Sequence, residues 1–466
     1  MLNFLLALLV IVSGSFICGG EAFSADNIRI DEAGISRHVE AISKIGNLGP
    51  RVEDGYTRAA WSDEESKAME YIRQEAYKMG LNTKYDAVGN LFLRTTNNSK
   101  QVIQIGSHLD TVPNGGTFDG AAGIITGFES IRAVLRTGLP KDKDLELVIW
   151  RGEESATFNF AYKGSKAAFG DKMPADILNR TYAGVKLEDA IKKQGFDPSY
   201  IKLGKPTISQ ADIDSITAHF ELHIEQANKL EQDGDEIGIV TSIRGGNRLR
   251  VEVSGSFDHS GATPMGTKYR HDANLTIGYM QVELDKLLKV YQDKGFDLVQ
   301  TTGVINSDKE YNTKNPVVYE NTLTKVSGFG YFFLDIRSNN KLQRDDYTRE
   351  AREIIMSVAD RLGTTVKIVD MGSSDPAEAL DADLQKKIEK SSAALGYKYQ
   401  YMPSGAGHDS AIVAKQKKSD GRTVPVAMIF IPCKNGVSHA KEEFTTISDI
   451  RKGAEVLANT IYLLVR

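Results

Sequence analysis

The order in which strand-like and helix-like patterns follow one another constrains the fold of this chain more than any other feature of its sequence. Short apolar runs typical of buried strands, such as "QVIQIGSHLD" and "DLELVIWRGEES", alternate with helical patterns such as residues 121–138. This alternation predicts an α/β layer built on a largely parallel sheet. Functional loops of such sheets gather at the carboxyl ends of the strands, where His108 and the pair Glu153–Glu154 fall.

A different order of elements begins near residue 244. Residues 244–371 have the patterns of a strand, a helix, two strands, a helix and a strand, which is the β-α-β-β-α-β order of a split βαβ sandwich. The alternation of helix and strand resumes after this segment. We therefore predict a main domain in two parts, 25–243 and 372–466, with a compact domain of residues 244–371 inserted between them.

The charge balance argues against one class of partner. The chain has 466 residues and a formal net charge of −5, with 57 Lys and Arg residues scattered among 62 Asp and Glu residues. Nucleic-acid binding needs a concentrated basic surface, because much of its affinity comes from neutralising phosphates. We expect no nucleic-acid partner, and the 41% hydrophobic content is that of an ordinary globular protein.

The first 24 residues differ from the rest. The run "MLNFLLALLVIVSGSFICGG" has no charged side chain before Glu21, and small residues precede Ala25 in the manner of a cleavage site. We interpret residues 1–24 as a secretory signal peptide and expect an exported protein, periplasmic or secreted, with no membrane attachment after cleavage. An uncleaved N-terminal membrane anchor is the alternative.

One predicted strand carries a polar face. In "AHFELHIEQ" (residues 218–226) apolar and polar side chains alternate with a period of two, which is the pattern of a strand. His223 therefore lies on the same face as Glu221 and Glu225.

A glycine-rich stretch places a histidine and two aspartates directly after a predicted strand. It is "GSHLDTVPNGGTFDGAAG", which contains His108, Asp110 and Asp119. Its glycines permit tight turns, and imidazole and carboxylate groups suit Zn²⁺ and similar divalent ions. Asp110 lies two residues after His108, on the same side of an extended chain, where it can accept the second imidazole N–H and fix the ring.

Several other polar residues fall at predicted strand ends and in loops. Each of them alone has an ordinary explanation as a solvated side chain, but two metal ions that share a bridging carboxylate need about this inventory. Two adjacent glutamates can divide the work, one as a ligand and one as a base, if the backbone bends there. The candidate set is His108, Asp110, Asp119, Glu153, Glu154, His223 and His439.

Seven motifs in this order resemble the amidase, hydantoinase and carbamoylase family, which lies within the wider aminoacylase and carboxypeptidase G superfamily of two-metal hydrolases. The motifs are "GSHLDTVPNGGTFDGAAG", "RGEESATF", "ELHIEQ", "DHSGATPMGTKYRHDA", "FLDIRS", "PSGAGHDS" and "NGVSHAKEEF". The resemblance covers nearly the whole chain after the predicted signal peptide. It implies an α/β fold in which a metal-dependent exopeptidase-like catalytic domain carries an inserted β-α-β-β-α-β lid and dimerisation domain.

The resemblance implies a role for each candidate. Two divalent ions per subunit, Zn²⁺ or Mn²⁺, would be bound, with Asp119 as the bridge between them. Glu153 would be the general base, and Asp110 would orient a ligand. The first ion would be held by His108, Asp119 and His223, and the second by Asp119, Glu154 and His439.

Further residues are implied to act on the substrate. His259 of the inserted domain would reach the active site of the partner subunit in a homodimer and stabilise the oxyanion. Gln226 and Asn321 would contact substrate, and Arg337 would bind its carboxylate through two hydrogen bonds. The family often places its asparagine thirteen residues before the arginine, whereas Asn321 lies sixteen before Arg337, so its assignment is the loosest.

The expected activity is hydrolysis of a linear amide or ureido C–N bond in a carboxylate-bearing small molecule, such as an N-carbamoyl-L-amino acid, allantoate or ureidopropionate. A metallo-dipeptidase or aminoacylase on the same fold is the alternative, and His223 and Gln226 argue against it. A non-catalytic binding protein on a decayed enzyme scaffold would lack a ligand or the base, and none is missing here.

Overall fold

The computed structural model of the protein describes residues 27–49, 54–306 and 322–466. The predicted signal peptide, residues 1–24, and the candidate Asn321 lie outside these residues. Within them, none of the helices combines the length and the apolar composition that a membrane crossing requires.

Fourteen strands and thirteen α-helices form in the described residues. The strands are β1 (Asn82–Tyr85), β2 (Leu91–Arg94), β3 (Val102–His108), β4 (Asp144–Trp150), β5 (Thr181–Tyr182), β6 (Val185–Lys186), β7 (Ile216–Ile224), β8 (Ile237–Ile243), β9 (Gly245–Ser254), β10 (Leu298–Asn306), β11 (Phe329–Ser338), β12 (Thr365–Ser373), β13 (Tyr399–Ser404) and β14 (Val426–Ile431). The helices are α1 (Glu32–Ser43), α2 (Asp63–Lys78), α3 (Ala121–Leu135), α4 (Lys163–Phe169), α5 (Leu187–Lys193), α6 (Ser199–Leu203), α7 (Gln210–Ser215), α8 (Lys229–Asp233), α9 (Ala273–Asp293), α10 (Lys341–Arg361), α11 (Ala382–Leu395), α12 (Ser410–Val413) and α13 (Ile447–Val465).

The larger sheet has eight strands in the order β1-β2-β4-β3-β7-β14-β8-β13. Its centre, β4-β3-β7-β14, is parallel, as the alternating pattern predicts. The sheet as a whole is mixed, since β1 and β2 form an antiparallel hairpin, β2 runs antiparallel to β4, and β8 runs antiparallel to β14. The α/β fold class is therefore confirmed. The expected parallel pairing holds for the four central strands, which carry the candidate site, and for β8 with β13 at one edge.

Helices cover both faces of this sheet. Apolar side chains of α1, α2, α3, α11 and α13 pack on one face, and those of α4, α7 and α12 pack on the other. As a result β3, β4 and β14 are buried along their whole length. The polar face of β7 is buried as well, so His219 and Glu221 lie in the interior of the protein.

The smaller sheet has four antiparallel strands in the order β10-β11-β9-β12. Helices α9 and α10 cover one of its faces, where a separate core forms around residues such as Val251, Phe332 and Ile355. Along the chain the elements run β9, α9, β10, β11, α10 and β12. The opposite face of this sheet carries Arg248 and Arg337 and borders the cleft described below. The domain limits 244 and 371 stay a prediction.

Candidate metal centre and active-site cleft

Four neighbouring parallel strands deliver the candidate ligands to one edge of the larger sheet. His108 is the last residue of β3, and Glu153 and Glu154 follow the end of β4. His223 is the penultimate residue of β7, and the loop after β14 contains His439. Because these strands are parallel, their carboxyl ends lie side by side, and residues up to 331 positions apart in the sequence meet there.

The first group of possible metal ligands consists of His108, Asp119 and His223. The Nε2 atoms of the two histidines lie 3.3 Å and 3.0 Å from the same oxygen, Asp119 Oδ1. All three side chains are buried. Two imidazoles and one carboxylate converging in this way form a donor set that suits Zn²⁺ and related ions.

The second group consists of Asp119, Glu154 and His439. His439 Nε2 lies 3.3 Å from Asp119 Oδ2 and 3.2 Å from Glu154 Oε1. Each carboxylate oxygen of Asp119 therefore faces a different group, which is the arrangement that a bridging carboxylate requires. Within each group the ligand atoms lie within 4.8 Å of one another, so both groups fit a divalent ion.

The electrostatics of the site favour cations. Burial alone would raise the pKa of Asp119, but the charge of His223 and the hydrogen bonds from the surrounding imidazoles hold that pKa well below its usual range. Hydrogen bonds to the carboxylates of Asp119 and Glu154 raise the pKa of His439 to about 11. These shifts reflect buried carboxylates that need positive charge beside them, and a bound divalent ion would supply it.

Glu153 belongs to neither ligand group, although it lines the same cleft as both. Burial raises the pKa of the Glu153 carboxyl group well above its usual range. The charge of His108 lowers this pKa, and the charge of Glu154 raises it further. The bend that separates the two glutamates from β4 is made by Gly152, which has a positive φ of 62°. A Cβ at Gly152 would lie 2.7 Å from the Trp61 ring, so only glycine fits there.

Asp110 connects His108, a candidate ligand, to the glutamate pair. Its carboxylate accepts hydrogen bonds from the amide N–H groups of Glu153, at 3.0 Å, and Glu154, at 3.1 Å. His108 Nδ1 lies 3.3 Å from Asp110 Oδ1 and 3.0 Å from the main-chain carbonyl oxygen of Asp110. The imidazole is thus oriented by the backbone of Asp110 as well as by its carboxylate.

Glycine permits the close approach of the Asp119 loop to its neighbours. Gly120 has a φ of 65°, and a Cβ there would lie 2.5 Å from the His108 ring. Its amide nitrogen also lies 3.2 Å from His223 Nε2. The glycine-rich stretch therefore allows Asp119 to sit between the two histidines.

The candidate substrate residues have different placements. Gln226 and Arg337 line the cleft of about 450 Å³ that contains the candidate metal ligands, and Gln226 Nε2 donates to Asp119 Oδ2 at 2.8 Å. His259 is exposed, and within the described residues of one subunit it does not line this cleft. The structure leaves the roles of Gln226, Arg337 and His259 as predictions, and Asn321 lies outside the described residues.

Glu443 is a site residue that the sequence reasoning missed. It is 3% exposed, and its Oε1 accepts the amide N–H groups of Phe118 and Asp119 at 3.1 Å and 2.9 Å. Its Oε2 accepts the Ser438 hydroxyl at 3.1 Å and the His439 amide N–H at 3.3 Å. One carboxylate thus joins the loop of Asp119 to the loop of His439. The signal was the acidic residue four positions after that histidine in "SHAKEEF".

Comparison with known proteins agrees with this geometry. Residues 104–463 match the peptidase family M20/M25/M40. The chain is 31% identical to allantoate amidohydrolase of Escherichia coli, over 91% of this chain and 97% of that protein. It is 30% identical to N-carbamoyl-L-amino acid amidohydrolase of Geobacillus stearothermophilus, over 92% and 98% of the two chains. A crystal structure of a hydantoinase/carbamoylase family amidase from Burkholderia ambifaria superposes with a TM-score of 0.77 at 31% identity and covers 95% of this chain and 99% of that one.

The fold, the two ligand groups and these relatives define a metal-dependent hydrolase of C–N bonds in linear amides. The chain belongs to peptidase family M20/M25/M40. Both the family resemblance and the enzyme class expected from the motifs are therefore confirmed.

Proposed function

We propose that this protein hydrolyses the C–N bond of a linear ureido (carbamoyl) group in a small molecule that also carries a carboxylate, such as an N-carbamoyl-L-amino acid, allantoate or ureidopropionate. One observation carries the proposal. The two oxygens of Asp119 face two different histidine-containing groups, and Glu153, which belongs to neither group, lines the same cleft. The names of the relatives, allantoate amidohydrolase and N-carbamoyl-L-amino acid amidohydrolase, support the ureido substrate.

We assign His108, Asp119 and His223 to one divalent ion and Asp119, Glu154 and His439 to another, with Zn²⁺ and Mn²⁺ both suited to these donors. When bound, such ions polarise a carbonyl group and acidify water. Glu153 accepts a proton from the attacking water and delivers it to the leaving nitrogen. An N-carbamoyl amino acid and one water then yield the free amino acid, carbon dioxide and ammonia.

The oxyanion of the tetrahedral intermediate needs a hydrogen-bond donor. His259 Nδ1 accepts the amide N–H groups of Gly261 and Ala262, both at 3.1 Å. A neutral imidazole with Nδ1 as an acceptor carries its proton on Nε2. We assign His259 as the donor supplied by the partner subunit of a homodimer, with Gln226 and Arg337 binding the substrate and Asn321 a further substrate residue.

We also propose that the protein is exported and that residues 1–24 are removed. Cell fractionation combined with N-terminal sequencing of the mature protein tests this. An N-terminus near Ala25 in the soluble exported fraction is expected, and an intact N-terminus in the membrane fraction would favour the anchored alternative.

An ammonia-release screen tests the proposed reaction. Purified protein loaded in turn with Zn²⁺ and Mn²⁺ is offered N-carbamoyl-L-amino acids, allantoate and ureidopropionate, with dipeptides and N-acyl amino acids as the rival substrates. We expect ammonia from at least one ureido acid and no comparable cleavage of the rival substrates. Efficient cleavage of a dipeptide or an N-acyl amino acid without ureido hydrolysis would support the dipeptidase or aminoacylase alternative. Inertness to the whole panel at full metal content would support a binding protein.

A further inference from the structure

The uncovered face of the smaller sheet brings two arginines and one aspartate together. Asp335 on β11 pairs with Arg248 on β9, and Arg337 lies two residues along β11 from Asp335. Side chains of paired residues, and of residues two apart, project from the same face of a sheet. Arg248, Asp335 and Arg337 are therefore neighbours on the face that α9 and α10 leave uncovered.

The hydrogen bonds of Arg337 are largely taken up within the chain. Its Nε and Nη2 donate to Asp335 Oδ2 at 3.1 Å and 2.8 Å, and its Nη1 donates to the carbonyl oxygen of Gly405 at 2.9 Å. The side of the guanidinium that makes paired hydrogen bonds through Nε and Nη2 is thus already used by Asp335. Only some of the N–H donors of Arg337 are therefore available to a ligand.

Arg248 has the free capacity that Arg337 lacks. Its Nε lies 3.7 Å from Asp335 Oδ2, beyond hydrogen-bond distance, and its side chain is 52% exposed. It lines the same cleft as Glu153 and the metal ligands. Arg244, which also lines this cleft, is differently placed, because both oxygens of Asp297 accept hydrogen bonds from its Nε.

The charges of this group leave room for one anion. Arg248 and Arg337 contribute two positive charges and Asp335 one negative charge, so the group keeps one unbalanced positive charge inside the cleft. A ligand with a single carboxylate balances it. A guanidinium in a partly buried cleft is a strong donor to such a group.

We infer that Arg248 is a second carboxylate-binding residue, which holds the carboxylate of the substrate jointly with Arg337. This inference rests on the proposed function, because it places the carboxylate of a ureido acid at the lid side of the cleft. Arg248 would then set the preference of the enzyme for acids over their neutral amides.

The test compares an acid with its neutral counterpart. We measure KM and kcat for N-carbamoyl-L-alanine and N-carbamoyl-L-alaninamide with the wild type and with Arg248→Gln. We expect the substitution to raise KM for the acid by about 10- to 100-fold, the usual effect of losing a hydrogen bond to a charged group. KM for the amide and kcat for both compounds should change by less than about threefold.

Arg250→Gln is the matched control. Arg250 lies two residues along β9 on the same face, its Nε is 2.9 Å from Glu252, and it is not among the residues that line the cleft. This variant should leave KM for both compounds unchanged. An equal rise of KM for acid and amide in Arg248→Gln, or no rise at all, would overturn the inference.

Failure of the proposed function has a different signature. If the wild type releases ammonia from no ureido acid, binding of N-carbamoyl-L-alanine and its amide is measured by titration calorimetry instead. A loss of tenfold or more in affinity for the acid alone in Arg248→Gln would support the arginine pair. Equal affinities of wild type and variant, or no binding by the wild type, would refute it.

Discussion

The carboxylate of Asp110 accepts a hydrogen bond from the amide N–H of Glu153 at a distance of 3.0 Å. Its other oxygen accepts the amide N–H of Glu154, and His108 Nδ1 lies 3.3 Å from the same side chain. One fully buried aspartate therefore positions a candidate histidine ligand, a candidate carboxylate ligand and the proposed base. A displacement of the Asp110 carboxylate would therefore displace all three residues.

Asp110→Asn should lower kcat. The amide group of asparagine has one acceptor oxygen where aspartate has two, so one glutamate N–H loses its partner. The loss of an outer hydrogen bond of this kind typically costs about 10- to 100-fold in metal affinity or activity. Ammonia release per bound metal, with metal content from plasma emission spectrometry, measures the effect.

Asp144→Asn is the control for Asp110→Asn. Asp144 is also buried and also accepts amide N–H groups, from Asn97 at 3.0 Å and Ser99 at 2.8 Å, but it lies at the amino end of β4. The Asp144→Asn variant should be less stable than the wild type and keep the wild-type kcat per folded molecule. A similar loss of kcat in both variants would show that Asp110 acts only through stability.

Glu153→Gln should abolish most of the turnover and leave the metal content unchanged. The amide cannot take a proton, and a general base contributes about 10²- to 10⁴-fold to the rate. Glu154→Gln is the contrasting variant, since it removes a ligand oxygen that lies 3.2 Å from His439 Nε2 and should lower metal content. Near-normal ammonia release by Glu153→Gln would remove Glu153 from the role of base.

Glu443→Ala should weaken the binding of one metal more than the other. The substitution frees the loops of Asp119 and His439, which the four hydrogen bonds to Glu443 connect. We expect metal affinity to fall by about 10- to 100-fold at the group that contains His439. Titration of the metal-free protein with Zn²⁺ should show a larger shift at this site than at the other, since Asp119 belongs to both groups and His439 to only one. Glu442→Gln, at the exposed neighbouring position, should behave as the wild type, and an equal shift of both sites would contradict the selective effect.

His219 should make the protein less stable as the pH falls below 6.5. It is fully buried, its Nδ1 is paired with Gln104 Oε1 at 2.8 Å, and its Nε2 has no hydrogen-bond partner among the described residues. Burial lowers the pKa of His219 from 6.5 to about 3. Between these two pKa values the unfolded chain binds a proton that the folded chain does not. The free energy of unfolding therefore falls by about 1.4 kcal/mol for each unit by which the pH is lowered.

His219→Gln removes this dependence and keeps a hydrogen-bonding group near Gln104. We compare the free energy of unfolding of the variant with that of the wild type. This difference should shift in favour of the variant by about 2 kcal/mol when the pH is lowered from neutral to about pH 5. Urea unfolding at several pH values measures the difference, since the other titrating groups are common to both proteins. Parallel stability curves for the two proteins would contradict the prediction.

The sequence predicted those parts of the structure that local patterns encode. Helix α3 lies within residues 121–138, where the helical pattern predicts it, and the period of two in β7 identified the strand that carries His223. The candidate metal ligands stood out because histidines and carboxylates recur at predicted strand ends and in loops, and the family resemblance implied their division into two groups. The antiparallel pairing of β8 with β14 joins strands that are nearly 190 residues apart, and no local period specifies such a pair.

Glu443 and Arg248 were missed for a related reason. In the sequence Glu443 is one of two adjacent acids after a lysine, a composition typical of a solvated surface. Its burial depends on the Asp119 loop, which is more than 300 residues away. Arg248 alternates along a strand as an exposed residue does, and only the pairing with β11 places it beside Arg337.

Mixing two inactive variants should restore activity if His259 acts across a dimer. His259→Ala removes the proposed oxyanion donor and leaves both metal groups intact, and Glu153→Gln removes the base. In a mixed dimer one active site receives the wild-type base and the wild-type histidine, whereas the other receives neither. Random mixing makes half of the dimers mixed, each with one intact site, so about a quarter of the wild-type sites are expected to function. Ammonia release from the mixture, compared with each variant alone and with size-exclusion data on the dimer, measures this. If exchange of subunits is demonstrated and activity stays at the sum of the two variants, His259 does not act in the site of its partner.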